Sequence, residues 1–187
     1  MGKLVSERLH QISKTWVALS ALMIFALFTA LVLPAQAARS EVYTENAMSP
    51  DSSLFYTADD LYQAAQAYGA EGRAAYVKSR FTFDSIWPLV YAAFLGTGIS
   101  WLYKRAFRES SAWQLANLAP LLGALLDYLE NLSTSIVMVL YPTRAFVIGA
   151  MAPILTLLKW VLIGSSFGLL MLGIAVALWR RTQGTPT

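Results

Sequence analysis

The 187-residue chain has no cysteine and a single histidine. Without cysteine there is no disulfide, no thiol nucleophile, no Fe–S cluster and no cysteine-ligated zinc. The one histidine, His10, lies among Glu7, Arg8 and Lys14, so histidine metal clusters and bis-histidine haem are excluded. A Ser–His–Asp hydrolase would need His10 to fold back from the N-terminal tail. Charge is also scarce, at 13% of residues against 57% hydrophobic, about half the usual charged share. The formal net charge of +3 is too small to indicate a nucleic-acid partner. No phosphate-cradling glycine loop and no c-type haem motif occurs. Neither a cofactor nor a metal is expected.

What the chain does have is long apolar runs. A membrane-spanning helix takes about 20 mainly apolar residues, and four segments qualify, with cores at 16–33, 83–103, 120–141 and within 146–179. Pro153 is expected to kink the last run or to mark where its spanning part begins. Basic residues set the orientation. Lys3, Arg8 and Lys14, then Lys104, Arg105 and Arg108, then Arg180 and Arg181 fall on one side if four helices alternate. The expected location is the bacterial cytoplasmic (inner) membrane, multi-pass, with both termini cytoplasmic. Trp16, Trp101, Tyr103, Tyr141 and Trp179 stand near the span ends, as interfacial anchors do. The stretch LPAQAA at 33–38 also matches a signal-peptide cleavage site. Cleavage after Ala37 would leave three spans in the same orientation, but an 18-residue apolar core favours a retained helix.

These segments predict an all-α polytopic bundle: four transmembrane helices with a small extracytoplasmic helical cap. The expected divisions are a cytoplasmic tail (1–15), spans at 16–37, 82–103, 113–141 and 142–179, a basic cytoplasmic loop (104–112) and a C-terminal tail (180–187). The remaining segment, 38–81, is outside. Its first part, from Arg39 to Ser53, reads as an irregular loop containing SPDSS. Helices are expected at about 58–69 and 70–81, the second either ending there or running without a break into the second span. Thr57 with Asp60 forms a capping-box pattern, Leu61, Ala64, Ala65 and Tyr68 share one face, and Gly69 stops or bends the first helix. In the second, Arg73, Tyr76 and Arg80 lie on one side with Asp84 four residues beyond. Two readings stay open there: an ion pair at the membrane surface, or an anion or headgroup site. Asp84 or Thr82 is expected to cap the second span, with Pro88 in or near its first turn. Trp87 and Tyr91 would then form an aromatic wall.

The third apolar run, LLGALLDYLENLSTSIVMVL, holds Asp127, Glu130, Asn131 and Thr134 on one side of a helix, with Ser135 beside them. Charge at this depth should face the bundle interior. Lys159 is the one cation inside a span. Asp127 lies about 21 Å before Tyr141 and Lys159 about 22 Å after Arg144 at 1.5 Å per residue. Antiparallel neighbours joined by a short turn therefore bring the two level. A helix starting near Pro153 would bring Lys159 to Glu130 or Asn131 instead. Two carboxylates then share one ammonium, so charge balance leaves room for a proton.

The runs YGAEGRAAYVKSRFTFDSIWPLVY, LAPLLGALLDYLEN and TLLKW resemble a family of small bacterial four-helix integral membrane proteins with no known activity. The resemblance covers roughly residues 54–170 and implies no substrate or cofactor. The intramembrane carboxylates are similar in kind to those of emopamil-binding-protein-like sterol isomerases, whose motifs are not found here.

Three function classes follow. The first is a non-enzymatic scaffold or accessory subunit that self-associates or joins other membrane subunits. Its small residues, Gly96, Gly98, Ser100, Gly164, Ser165, Ser166 and Gly168, permit close helix contact. The second is a proton- or cation-coupled transporter using Asp127, Glu130 and Lys159. The third is an intramembrane lipid enzyme with Glu130 or Asp127 as acid or base. The second requires a water-accessible path to the stripe, and the third a lipid-open pocket beside it near Trp87 and Tyr91.

Overall fold

A computed structural model describes residues 2–44, 47–50 and 53–183. Residues 1, 45–46, 51–52 and 184–187, assigned above to tails and a loop, lie outside the described residues. Every regular element within them is helical. Three helical runs are long and apolar enough to cross a membrane, Thr15–Val42, Gly69–Ala106 and Phe146–Thr182, which makes this a helical membrane protein.

The N-terminal residues, expected as a tail, form helix α1 (Gly2–Ile12). Polar contacts dock it. Ser6 Oγ donates to Gln114 O at 3.0 Å, while Asn117 Nδ2 donates to Ser6 O at 3.2 Å and to Ser100 Oγ at 2.9 Å. Lys104 Nζ donates to His10 O at 2.7 Å. Leu4 and Ile12 stay exposed, so no buried apolar face marks this helix. Next come α2 (Thr15–Leu27), a π-helical turn (Phe28–Val32) and α3 (Leu33–Thr44). Residues 39–44, expected as irregular loop, are thus helical. The wide turn precedes Pro34, whose ring would crowd the carbonyl four residues back in a regular α-helix.

Helix α4 (Ala58–Ala67) begins with the full capping box, Thr57 accepting from Asp60 N and Asp60 accepting from Thr57 N. Leu61, Ala64, Ala65 and Tyr68 are buried, and Tyr62 with them. Gly69, at φ +62°, supplies a left-handed turn that most residues avoid. It leads directly into α5 (Gly69–Ala106). Of the two readings of 70–103, the unbroken helix is the one found. Neither Thr82 nor Asp84 is a cap: Thr82 Oγ1 donates to Lys78 O at 2.8 Å, and Asp84 pairs with Arg80. Pro88 sits in the helix interior rather than in its first turn, a position that packing by neighbouring helices makes tolerable in membrane bundles.

A 3₁₀ turn (Ala112–Leu118) leads into α6 (Ala119–Leu140), with Pro120 in its first turn, where a missing N–H costs nothing. Helix α7 (Phe146–Thr182) runs through Pro153, so that proline does not mark its start. Helix α6 packs against both α5 and α7, α2 flanks α5, and α4 covers one end of α6 and α7. Helix α6 is inverted relative to a soluble amphipathic helix. Its inner side is polar, while Leu122, Leu125, Leu129, Leu132 and Val139 are exposed on the outside.

Two apolar clusters result. One, at the α4 end, joins Leu61, Ala65, Tyr76, Val137, Met138 and Ala152. The other, toward the α1 end, joins Leu95, Ile99, Tyr103, Ala124, Ile163 and Leu170. The α6 stripe at 127–134 falls between them in sequence and in space.

Close approach of α5 and α7 depends on Gly173. A Cβ there would lie 2.9 Å from Tyr103 Cε2 and 3.1 Å from Leu102 Cβ. Tyr103 is fully buried, and its hydroxyl donates to Leu169 O at 2.9 Å, so the ring has no retreat. Gly173→Ala is expected to destabilise the bundle by about 1–3 kcal/mol through overpacking. Gly164→Ala, with nothing within 4 Å, should leave the thermal midpoint in detergent unchanged. The Asp60 carboxyl is held below its usual range by hydrogen bonds from the backbone N–H and then the hydroxyl of Thr57. Its support of α4 is therefore present at neutral pH and lost as pH falls through that lowered value. Amide exchange at 58–61, corrected for intrinsic rates, should speed up in acid, and Asp60→Asn should abolish the acid dependence.

Candidate functional site

The polar layer is built by three helices. Helix α6 contributes Asp127, Glu130, Asn131 and Thr134, which the 3.6-residue repeat sets on one side and which are all at most 6% exposed. From α7 comes Lys159, 13 residues past Phe146 and therefore about 20 Å along the axis. Helix α5 contributes Tyr91, 1% exposed.

The structure brings Lys159 against both carboxylates. Its Nζ contacts Glu130 Oε2 and lies 3.6 Å from Asp127 Oδ1. Lys159 thus meets both positions that the two alternative helix starts separate. Tyr91 Oη donates to Asp127 Oδ2 at 3.0 Å, and Asn131 Nδ2 donates to Asp127 Oδ1 at 3.4 Å. Thr134 turns to its own helix, donating to Glu130 O at 3.0 Å. It borders the ionic cluster without joining it.

The two carboxylates are not equivalent. Glu130 is fully buried behind Lys159. Asp127 and Lys159 both line a cavity of about 520 Å³. Tyr91, Trp87, Trp160 and Phe167 supply aromatic walls, and Phe25 closes the α2 side. Toward the α4 end the lining turns polar, with Arg80 and Asp84 from α5 and Gln36, Ser40 and Glu41 from α3. Around this space three buried carboxyl groups (Asp84, Asp127, Glu130) face two buried cations (Arg80, Lys159).

Arg73 and Arg80, grouped above as one possible anion or headgroup site, have different partners. Arg73 Nη1 donates to Ala65 O at 2.9 Å, and its guanidinium lies over the Tyr141 ring at 4.7 Å. Arg80 instead stacks over Tyr76 at 4.6 Å and pairs with Asp84 at 3.0 Å. Each guanidinium thus has its own set of partners. The Arg80–Asp84 pair is buried on both sides, not a surface ion pair.

Some residues near the layer gave no sequence signal. Thr156 is fully buried one turn before Lys159. Its hydroxyl donates to Ala152 O at 3.0 Å and lies 2.9 Å from Tyr56 Oη, which ties the segment before α4 to α7. Tyr91 was legible as an aromatic, not as the hydrogen-bond donor to Asp127. The α3 wall was hidden because residues 39–44 read as loop. No group of three or more His, Asp or Glu among the described residues is arranged to hold a metal ion.

No family model, no curated protein and no solved structure matches this chain. The resemblance to small four-helix membrane proteins rests on the quoted residues alone.

Removing Lys159 leaves Glu130 buried beside Asp127 with no ammonium between them. Breaking a buried pair from one side costs about 3–5 kcal/mol, whereas replacing both partners is often close to neutral. Lys159→Met is therefore expected to lower the unfolding midpoint in detergent sharply. The double variant Lys159→Met/Glu130→Gln should recover most of that loss, a coupling that a double-mutant cycle reads directly. A Lys159→Met protein as stable as wild type would show that the contact holds nothing together.

Proposed function

We propose that the chain is a four-span protein of the bacterial inner membrane with both termini cytoplasmic, α6 being the additional span. We propose further that Asp127, Glu130 and Lys159 form a proton- or cation-handling site for a small solute taken into the adjoining cavity. The inverted polarity of α6 supports the span. Its 22 residues make about 33 Å of helix, and its mean hydropathy is lowered by the side turned inward. The α1 end carries Lys104 and Arg105, and the C-terminal end of α7 carries Arg180 and Arg181, in keeping with a cytoplasmic side.

One observation carries the coupled reading: Asp127 and Lys159 line open space. A scaffold or accessory subunit needs this cluster only as a lock, and a lock is served best by close packing around it. In the coupled reading, Glu130 and Lys159 form the permanent pair. Asp127, which Lys159 also approaches at 3.6 Å, faces the cavity and is the group that takes up and releases a proton or cation. The hydrogen bond from Tyr91 to Asp127 also favours a second reading, an enzyme acting on a membrane-dissolved substrate with Asp127 as general acid or base.

A hydrophobic carbodiimide, which reacts with protonated carboxyl groups within bilayers, tests the site on the full chain in liposomes. Peptide mapping should find Asp127 modified, less so as pH rises, and no modification in Asp127→Asn. Labelling confined to surface acids such as Asp59 would contradict the reading. Because the chain has no cysteine, single introduced cysteines report topology cleanly. Ser110→Cys should react with a membrane-impermeant maleimide from the cytoplasmic side, and Ser53→Cys and Thr143→Cys from the opposite side. Ser110 and Thr143 reacting from the same side would remove α6 as a span.

A further inference from the structure

The buried charges around the cavity come with partners of opposite sign. Arg80 and Asp84 are joined at 3.0 Å, while Lys159 contacts Glu130 and lies 3.6 Å from Asp127. A ligand charge of either sign that reached one member would stand beside its partner as well. Attraction and repulsion would then nearly cancel, and the cost of taking the ligand's charge out of water would remain. Uncharged hydroxyl groups avoid that penalty, because each donates one hydrogen bond and accepts others. The wall can answer both, with Glu41, Asp84 and Asp127 as acceptors and Arg80 and Lys159 as donors. Gln36, Ser40, Thr44 and Ser49 extend the same polar surface.

Deeper in, the lining changes to Trp87 and Tyr91 from α5, Phe25 from α2, and Trp160, Ile163 and Phe167 from α7. Asp84 and Tyr91 are seven residues apart on α5, so the polar and aromatic parts are about 10 Å apart along the axis. The volume of about 520 Å³ is within the ~300–1,000 Å³ that holds small organic ligands. Helices α2 and α3 form a strap that packs on α5. Phe25 stacks on Trp87 at 5.8 Å and on Phe94 at 4.5 Å. Phe28 stacks on Phe83 at 5.6 Å and on Trp87 at 5.5 Å, and Gln36 Nε2 donates to Ser79 Oγ at 2.7 Å. Toward α7 the strap makes a ring contact, Phe25 with Phe167 at 6.2 Å. Trp160 and Phe167 line the cavity and are nevertheless 36% and 38% exposed. The cavity is thus reached through the seam between the strap and α7, which at the depth of Lys159 faces lipid.

We propose that the cavity holds a membrane lipid with an uncharged polyol head. The head is hydrogen-bonded between the Arg80–Asp84 and Asp127–Lys159 pairs, and the hydrocarbon chain leaves past Trp160 and Phe167 into the bilayer. This rests on the reading that the cavity holds the molecule on which the Asp127–Lys159 site acts, and it names the class of that molecule. Hydroxyls of the head donate to Asp84 and Asp127 and accept from Arg80 and Lys159 without parting either pair. A phosphate head would meet the carboxylates wherever it met the cations, and a quaternary ammonium would meet the cations wherever it met the carboxylates. The lining passes from polar to aromatic in the order in which such a lipid passes from head to chain.

The test uses the full chain in lipid nanodiscs and a monoacylglycerol with a photoreactive diazirine in its chain. After irradiation, peptide mapping should place the adducts around Trp87 and along 160–167. Unlabelled monoacylglycerol should compete about tenfold more effectively than chain-matched lysophosphatidate, lysophosphatidylcholine or alkyltrimethylammonium. Ala37 lines the cavity from α3 and is exposed, so Ala37→Trp should fill the polar end and remove most of the labelling while the thermal midpoint holds. Should Ala37→Trp fail to fold, the competition on the wild-type protein decides alone. Adducts spread evenly over the lipid-facing helices, or equal competition by any of the charged lipids, overturns the proposal. Carbodiimide labelling of Asp127 alongside either of those results would show that only the ligand class failed. Adducts at the cavity without that labelling would support the lipid site and remove the proton-handling reading.

Discussion

One ammonium group organises the interior. Lys159 reaches from α7 to two carboxylates on α6, in contact with Glu130 and 3.6 Å from Asp127. No lipid tail can solvate any of the three, so each is stable only because the others are there. That requirement sets the register of α6 on α7. It also leaves a remainder, since one positive charge cannot balance two negative ones. Asp127 shares the ammonium with Glu130 and also lines the cavity.

The rest of the bundle keeps this layer isolated. Apolar clusters close it at both ends, around Tyr76 and Met138 on one side and Ile99 and Tyr103 on the other. Gly173 lets α7 approach the Tyr103 ring, and Tyr56 reaches Thr156 from the segment before α4. Against these tight contacts stands the α2–α3 strap, held by aromatic stacks and a hydrogen bond over a cavity that reaches Asp127 and Lys159. Phe25 and Phe28 stack on Trp87, Phe94 and Phe83, so aromatic contacts hold this flank to α5.

Legibility in the sequence followed the physics of each feature. The meeting of Lys159 with the α6 carboxylates could be read from counting, because a charge inside a span has few possible partners. Thr57 and Asp60 announced the start of α4, because a capping box is local. The docking of α1 could not be read. It rests on Ser6, His10 and Asn117 meeting backbone and side-chain oxygens far away in sequence, and such contacts leave no hydropathy pattern. The continuity of α5 across residues 81 and 82 was one of two readings left open, because Asp84 and Pro88 imitate a helix start. The cavity and its α3 wall are products of packing, invisible until residues 39–44 are seen as helix.

The proposed function requires that Asp127, within reach of Lys159, Tyr91 and Asn131, can carry a proton. Infrared difference spectroscopy of the full chain in lipid at neutral pH tests it most directly, through the carbonyl stretch of a protonated carboxyl group. That band is expected in the wild-type protein, shifted in deuterium oxide, absent in Asp127→Asn and retained in Glu130→Gln. Its absence from the wild-type protein, or its loss in Glu130→Gln rather than in Asp127→Asn, would contradict the claim.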